Sequence, residues 1–152
     1  PEVLATMADA GCVYIGYGGE SASQAVLDAM EKRITVDEMR AAVRATKAAG
    51  ITANLTWISG YPGETRDDLR ATARFILDEE LANRRMFVAT PYPGTPLFRE
   101  ALPRIQQHFG SVRDYVAGLG DADRLLVNLS AMPDREFREC RELIEAGELA
   151  RI

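Results

Sequence analysis

An α/β fold built on a parallel sheet is what the sequence predicts. Helical and strand-like periodicities alternate along the first two-thirds of the chain. Three β-rich runs each end in a glycine- or proline-rich segment. With 152 residues, of which 47% are apolar and 27% charged, the chain can bury a core and is neither a disordered nor a fibrous sequence.

The elements follow in order. Glu2 to Ala10 reads as a helix, with Gly11 at the left-handed position that commonly ends one. Cys12 to Tyr17 is a short β-rich run. Ser21-x-x-Gln24 has the form of a capping box, and the helix behind it carries Val26, Leu27 and Met30. A second box, Thr35-x-x-Glu38, opens a helix that ends at Gly50, with Val36, Met39 and Val43 on one face. In the run Ile51 to Ile58, Ile51, Ala53, Leu55 and Trp57 are apolar while Thr52, Asn54 and Thr56 are polar. A strand between helices usually buries both faces, so a polar face here implies either a lined cavity or a wet sheet surface.

Thr65-x-x-Asp68 predicts a third capped helix with Leu69, Ala73, Ile76 and Leu77 inward. Met86 to Thr90 is the next strand, stopped by Pro91-Tyr92-Pro93-Gly94. Beyond Pro96 the pattern predicts a helix over Leu97 to Phe109 and a mixed stretch from Gly110 to Asp123. A strand over Leu125 to Leu129 and a last helix from Asp134 to Ala146 complete the chain. Strand, helices, strand, helix, strand implies βαβ units with right-handed crossovers. Three such strands leave two unpaired sheet edges, which implies further strands upstream. The opening at Pro1, inside a helical stretch, likewise suggests a piece of a longer protein.

Several function classes are excluded. No apolar run approaches the length that spans a bilayer, and no signal peptide opens the chain. A net charge of −5 argues against a general nucleic-acid surface while leaving room for a local basic patch. Cys12 and Cys140 have no metal-ligand spacing and read as small buried hydrophobes in a reducing cytoplasm. His108, the only histidine, reads as a surface or helix-end residue. The Gly16-x-Gly18 pair has Ser21 where a dinucleotide-binding fingerprint has its third glycine, and there is no Walker, GxSxG or HExxH motif.

Enzymes on parallel sheets place their sites at the C-terminal strand ends. Three segments fall there: Gly16 to Ser21, Ser59 to Glu64 and Pro91 to Pro96. Glu20 and Glu64 could form an acid/base pair, or could each simply sit favourably ahead of a helix N-terminus.

Ala10-Gly11-Cys12-Val13-Tyr14-Ile15-Gly16-Tyr17-Gly18-Gly19-Glu20-Ser21, with the helix to Lys32 behind it, resembles the fourth strand and following helix of radical S-adenosylmethionine enzymes. The nearest look is to their cobalamin-binding subgroup, which includes the anaerobic oxidative cyclase of magnesium-protoporphyrin monomethyl ester. Lys47 through Thr65 is similar to the family's fifth strand with its GxIxGxxE pattern, and Pro91 to Leu97 to the end of its sixth.

The resemblance implies a fragment of a partial TIM-like (β/α) barrel. Residues 1–100 would be the C-terminal half of the core barrel, and residues 101–152 a mixed, mostly helical extension packing on it. In that family S-adenosylmethionine lies against a 4Fe-4S cluster, and its reductive cleavage gives a 5′-deoxyadenosyl radical that abstracts hydrogen from substrate. Carried over, Glu20 contacts the ribose or the methionine part with Ser21 beside it, and Lys32 pairs with the methionine carboxylate. Ile58 packs on adenine, Gly60 leaves room for it, and Glu64 holds the loop by hydrogen bonds. Pro91 and Tyr92 border the adenine. Thr56 stands where the pattern has its first glycine, which puts a ribose contact there in doubt.

The CxxxCxxC loop that holds the cluster is missing from this sequence, so no catalytic or metal-ligating residue is assigned to it. The expectation is that the chain alone is inactive and binds S-adenosylmethionine weakly or not at all. The full-length enzyme would be cytoplasmic and would act on a small-molecule substrate. It would take electrons from a flavodoxin or ferredoxin and could carry cobalamin. Two alternatives stand beside this: a non-catalytic binding or scaffold module with a degenerate half-barrel, and an unrelated barrel enzyme using Glu20 and Glu64 as acid and base.

Overall fold

A computed structural model describes residues 2–120 and 124–152. Its sheet is three-stranded and fully parallel, in the order β1 (Tyr14–Glu20), β2 (Thr52–Ser59), β3 (Met86–Val88). Helix α1 (Glu2–Asp9) precedes β1, and α2 (Gln24–Ala29) and α3 (Val36–Ala48) connect β1 to β2. Helix α4 (Arg66–Asp78) connects β2 to β3. Then come α5 (Pro96–Phe109), α6 (Val112–Ala117), α7 (Asp134–Ala146) and a 3-10 turn at Leu149–Arg151. This is the expected α/β arrangement, consistent with a fragment of a (β/α) barrel. No described helix is long and apolar enough to cross a membrane.

Local chemistry explains the helix starts. Thr35 and Thr65 each accept a hydrogen bond from the backbone N–H three residues on, and the carboxylates of Glu38 and Asp68 each accept one from the threonine N–H in return. Helix α5 begins with Thr95 as its cap and Pro96 in its first turn, where a missing N–H costs nothing.

Strand β2 divides the fold. Ala53, Leu55, Trp57 and Ser59 are buried, while the side chains between them are partly open. Its buried face meets Met39 and Val43 of α3 and Leu69, Ala73 and Ile76 of α4 in the main core. Trp57 and Phe75 meet edge to face there at 5.9 Å. Phe137, Cys140 and Ile144 of α7 join that same core. A second cluster gathers Phe98, Ala101, Ile105, Tyr115, Val127 and Leu129. Glu79, only 4% exposed, ends α4 and receives Arg40 and Arg44 of α3. Its carboxyl is held below the usual range by the Arg44 hydrogen bond, with Arg40 adding to it against the cost of burial.

Four expectations need correction. Strand β1 starts at Tyr14 and runs through the glycines to Glu20, because each of those residues up to Gly18 has a partner in β2. Ser21 is not a helix cap: Ser23 holds that position, and its hydroxyl bonds Asp68 at 2.5 Å instead of its own helix. Gln24 bridges the α2–α3 loop, donating to the Ile34 carbonyl and accepting from Val36 N–H. Leu77 is 51% exposed, since the inward stripe of α4 runs through Leu69, Ala73 and Ile76 and turns past it. Leu125 to Leu129 is not a strand. Asn128 folds that segment into a turn, accepting from Ser130 N–H and donating to the Met132 carbonyl. Of the mixed stretch from Gly110, residues 121–123 lie outside the described ones.

Cys140 is buried, as expected, but Cys12 is half-buried. His108 sits in the last turn of α5 against Phe109.

The two neighbours on α4 give a direct test. Ile76→Ala should cost about 2–4 kcal/mol by urea unfolding, the penalty for emptying a packed site. Leu77→Ala should change stability by no more than about 0.5 kcal/mol.

Candidate functional site

The C-terminal ends of the three strands surround an open cleft of about 450 Å³. Glu20 and Lys32 form one side, Ile58, Phe87 and Val88 the strand floor, and Tyr61, Tyr92 and Leu97 the loops around it. Ile58 and Phe87 are register partners, so their side chains stand on the same face of the sheet.

The polar side depends on two glycines. At the end of β1 the register slips between Gly18 and Glu20, and Glu20 takes a left-handed conformation at φ 64°. That turn lays its carboxylate over Gly18: a Cβ on Gly18 would lie 2.6 Å from Glu20 Oε1 and 3.1 Å from Lys32 Nζ. Gly19 faces the opposite way, where a Cβ would lie 2.6 Å from Leu55 Cδ2. Lys32 Nζ donates to Glu20 Oε1 at 2.9 Å, with the two side chains 31% and 19% exposed. Lys32 therefore belongs to the loop after α2, rather than to a helix face in open solvent.

The β2 exit loop is held from inside. Glu64 is 1% exposed, and its Oε2 accepts from Gly60 N–H at 2.6 Å. Its Oε1 is buried without a partner among the described residues. Burial drives the Glu64 carboxyl up to about 8; the Gly60 hydrogen bond opposes the rise and the nearby Asp68 charge adds to it. The Glu64 carbonyl accepts from Ala131 N–H at 2.9 Å. Gly60 has φ 81°, and a Cβ there would lie 2.9 Å from Phe137 Cζ. The space beside Gly60 is thus filled by the first turns of α7, not left toward the cleft. The β3 exit loop is fixed similarly, by Tyr115 Oη donating to the Pro91 carbonyl at 2.8 Å.

Glu20, Lys32, Ile58 and Tyr92 accordingly meet in one cleft. Thr56 stands lower on the open face, its hydroxyl 3.4 Å from the Tyr17 carbonyl. Ser21 is turned into the interior, accepting from Ser23 N–H at 3.1 Å and lying 3.5 Å from the Thr72 hydroxyl. Gly60, Glu64 and Pro91 shape the loops from beneath. Glu20 and Glu64 do not share the cleft, so an acid/base pair between them has no geometric support. Sequence reasoning missed Tyr61, whose hydroxyl donates to the Ala29 carbonyl at 3.1 Å, along with Met30, Phe87 and Leu97. Strand alternation from Ile58 would have found Phe87 once the register was known.

The arrangement suits a ligand with a flat apolar part and a charged end. Lys32 offers a cation to a carboxylate, Glu20 an acceptor to hydroxyls or an amine, and the floor a surface for a ring. It offers nothing to a metal cluster: among the described residues no three metal-ligating side chains come together, and Cys12 and Cys140 are both free.

The raised Glu64 pKa has a signed consequence. The folded chain keeps a proton that the unfolded chain releases above its ordinary value of 4.5, so this group lowers stability as pH rises from about 4.5 to about 8. Glu64→Gln should flatten that slope in urea unfolding between pH 5 and pH 8.5. It should be more stable than the parent by at least about 1 kcal/mol at the alkaline end.

The model of the Radical SAM superfamily matches residues 1–76. An uncharacterized methyltransferase of Pyrococcus horikoshii is 36% identical over 101 residues, 66% of this chain and 22% of that protein. An anaerobic magnesium-protoporphyrin IX monomethyl ester cyclase of Cereibacter sphaeroides is 37% identical over 107 residues, 69% of this chain and 17% of the cyclase. A ribosomal protein methylthiotransferase of Elusimicrobium minutum is 32% identical over 87 residues, 56% of this chain and 20% of that enzyme. The chain spans about a fifth of the length of these relatives. With the matched half running from α1 through β1 and β2 into α4, the chain belongs to the radical S-adenosylmethionine superfamily.

Proposed function

We propose that this chain is the adenosyl-facing part of a radical S-adenosylmethionine enzyme, with residues 1–100 from the core barrel and 101–152 an extension packed on it. The observation that carries this reading is the cleft, where an ion pair stands beside an apolar floor at the C-terminal ends of three parallel strands. S-adenosylmethionine has the matching shape, with a purine at one end and an amino acid at the other. Lys32 Nζ holds the methionine carboxylate, and Glu20 turns one oxygen to a ribose hydroxyl or the methionine amine. Ile58 and Phe87 support the adenine ring from the sheet, and Tyr92 covers its edge. Closing these side chains on the cofactor excludes water from its sulfonium carbon, which protects a reactive species from quenching.

The 4Fe-4S cluster, when bound in the complete enzyme, supplies the electron that splits the cofactor's carbon–sulfur bond. Its ligands are expected on a longer protein, together with a place for cobalamin, a flavodoxin- or ferredoxin-type reductant and an organic substrate. The relatives' reactions, named as methyl transfer, ring cyclisation and methylthiolation, set the range of outcomes proposed for that substrate. A scaffold module with a degenerate half-barrel would have no need of the Glu20–Lys32 pair over Gly18.

The test is the longer protein, reconstituted anaerobically with iron and sulfide and supplied with dithionite. It should form 5′-deoxyadenosine from S-adenosylmethionine, and the 152-residue chain should form none. In the longer protein Lys32→Met should raise the KM for S-adenosylmethionine by about tenfold, the loss of one charge-assisted hydrogen bond. Product formed by the isolated chain, or an unchanged KM, would contradict the assignment.

A further inference from the structure

A second cleft, of about 500 Å³, opens at the other end of β3. Arg84 and Arg85 precede the first residue of that strand, Met86, whereas the candidate site gathers residues that follow its last, Val88. Arg138, Arg141, Glu142 and Glu145 of α7 complete the lining. All of these residues lie beyond the segment matched by the family model.

The charges in this cleft are unevenly satisfied. Arg141 Nη2 donates to the buried Met86 carbonyl at 2.7 Å and reaches Glu145 Oε1 at 3.4 Å. Glu145 Oε1 also accepts from Met86 N–H at 3.2 Å. These two side chains are therefore occupied in fastening α7 to β3. Arg85 lies over the Phe87 ring and has partners of its own. Arg84 and Arg138 differ: among the described residues neither has a carboxylate within 4.0 Å.

Arg84 is half-buried, and its Nε has neither water access nor an acceptor; the same holds for Arg141 Nε. Its guanidinium is fixed against the glycine that ends α7, since a Cβ on Gly147 would lie 2.8 Å from Arg84 Nη1. A guanidinium half withdrawn from water with no counter-ion is costly, and an anion is the partner that would offset both its charge and its unmet N–H. In a chain whose net charge is −5, this concentration of arginines is not a consequence of overall composition.

We propose that this cleft is an oxyanion site that takes a phosphoryl group. Arg84 and Arg138 bring the two uncompensated positive charges that a phosphoryl dianion needs, each with a planar fork of N–H donors suited to two oxygens. A single carboxylate would leave one of them unmatched. Glu142 is the opposing element: it lines the same cleft and weakens binding by repulsion. The competing account is that Arg84 only offsets the partial negative charge at the carbonyl end of α7. That account predicts no ligand.

Arginine side-chain resonances of the 152-residue chain test this. The buried Nε–H groups of Arg84 and Arg141 are shielded from exchange and should give separate signals. Titration with sodium phosphate at pH 7.5 and constant ionic strength should shift both in a saturable way. Arg138→Gln, an exposed substitution that leaves the fold intact, should weaken phosphate binding by about tenfold. Arg84→Lys, which keeps the charge and loses the fork, should weaken it comparably, and Glu142→Gln should tighten it. Acetate at the same ionic strength should give no saturable shift. A linear response, a response of the same size to acetate, or one unchanged in Arg138→Gln would overturn the proposal.

Discussion

The buried carboxyl of Glu64 sets the shape of everything at the rim. It stands where β2 leaves the sheet and turns back to accept the N–H of Gly60, four residues earlier. The hydrogen bond closes the loop between them on itself, with the carboxyl's other oxygen buried and without a partner among the described residues. Desolvation is the dominant force on this group, which is why its pKa rises despite the hydrogen bond. A neutral carboxyl is the stable form at ordinary pH, and a neutral group can be kept inside without a counter-ion. The cost is tolerated because the surroundings leave no alternative: Phe137 fills the space beside Gly60, and Ala131 N–H fixes the Glu64 carbonyl.

Below that loop the sheet divides its labour by face. One face of β2 is committed to α3, α4 and α7 through Leu55, Trp57 and their neighbours. The other carries Asn54, Thr56 and Ile58 toward open space, and the cleft lies at its upper end. The two glycines before Glu20 divide the same way, Gly19 giving room to Leu55 and Gly18 to the Glu20–Lys32 pair. Partly exposed, that pair adds little stability by itself. Its use is to place a cation and an anion at one side of an apolar floor. The C-terminal third reaches the loops from beneath, at Gly60 through Phe137 and at Pro91 through Tyr115.

Much of this was legible in the sequence where local chemistry decides. The boxes at Thr35 and Thr65 rest on interactions within a few residues, and the alternation of β2 and the glycine that ends α7 are patterns written directly in the residue order. The failures came where distant contacts decide. Ser21-x-x-Gln24 has the letters of a cap, yet β1 pairing carries the strand to Glu20 and Asp68 of another helix takes the Ser23 hydroxyl. Leu125 to Leu129 has the hydrophobicity of a strand, but no neighbouring strand accepts it and Asn128 supplies the turn. Among the site residues, Glu20, Ile58 and Tyr92 came together because each sits at or near a strand end, and Lys32 joins them from the loop after α2 through its bond to Glu20. Gly60 could not be read that way, since only Phe137, far along the chain, shows what its missing side chain makes room for.

The C-terminal helix holds the rim loop through Phe137 beside Gly60, and hydrogen exchange at two amides tests that most directly. Gly60 N–H and Ala131 N–H both end on Glu64, one on its carboxyl and one on its carbonyl. Their exchange should therefore report a single opening. In the parent chain both should be protected to the same free energy. In Phe137→Leu both should lose protection together by about tenfold or more while the β2 amides keep theirs. Gly60 protection unchanged in that variant would mean that the loop stands without the C-terminal helix, and the account would be wrong.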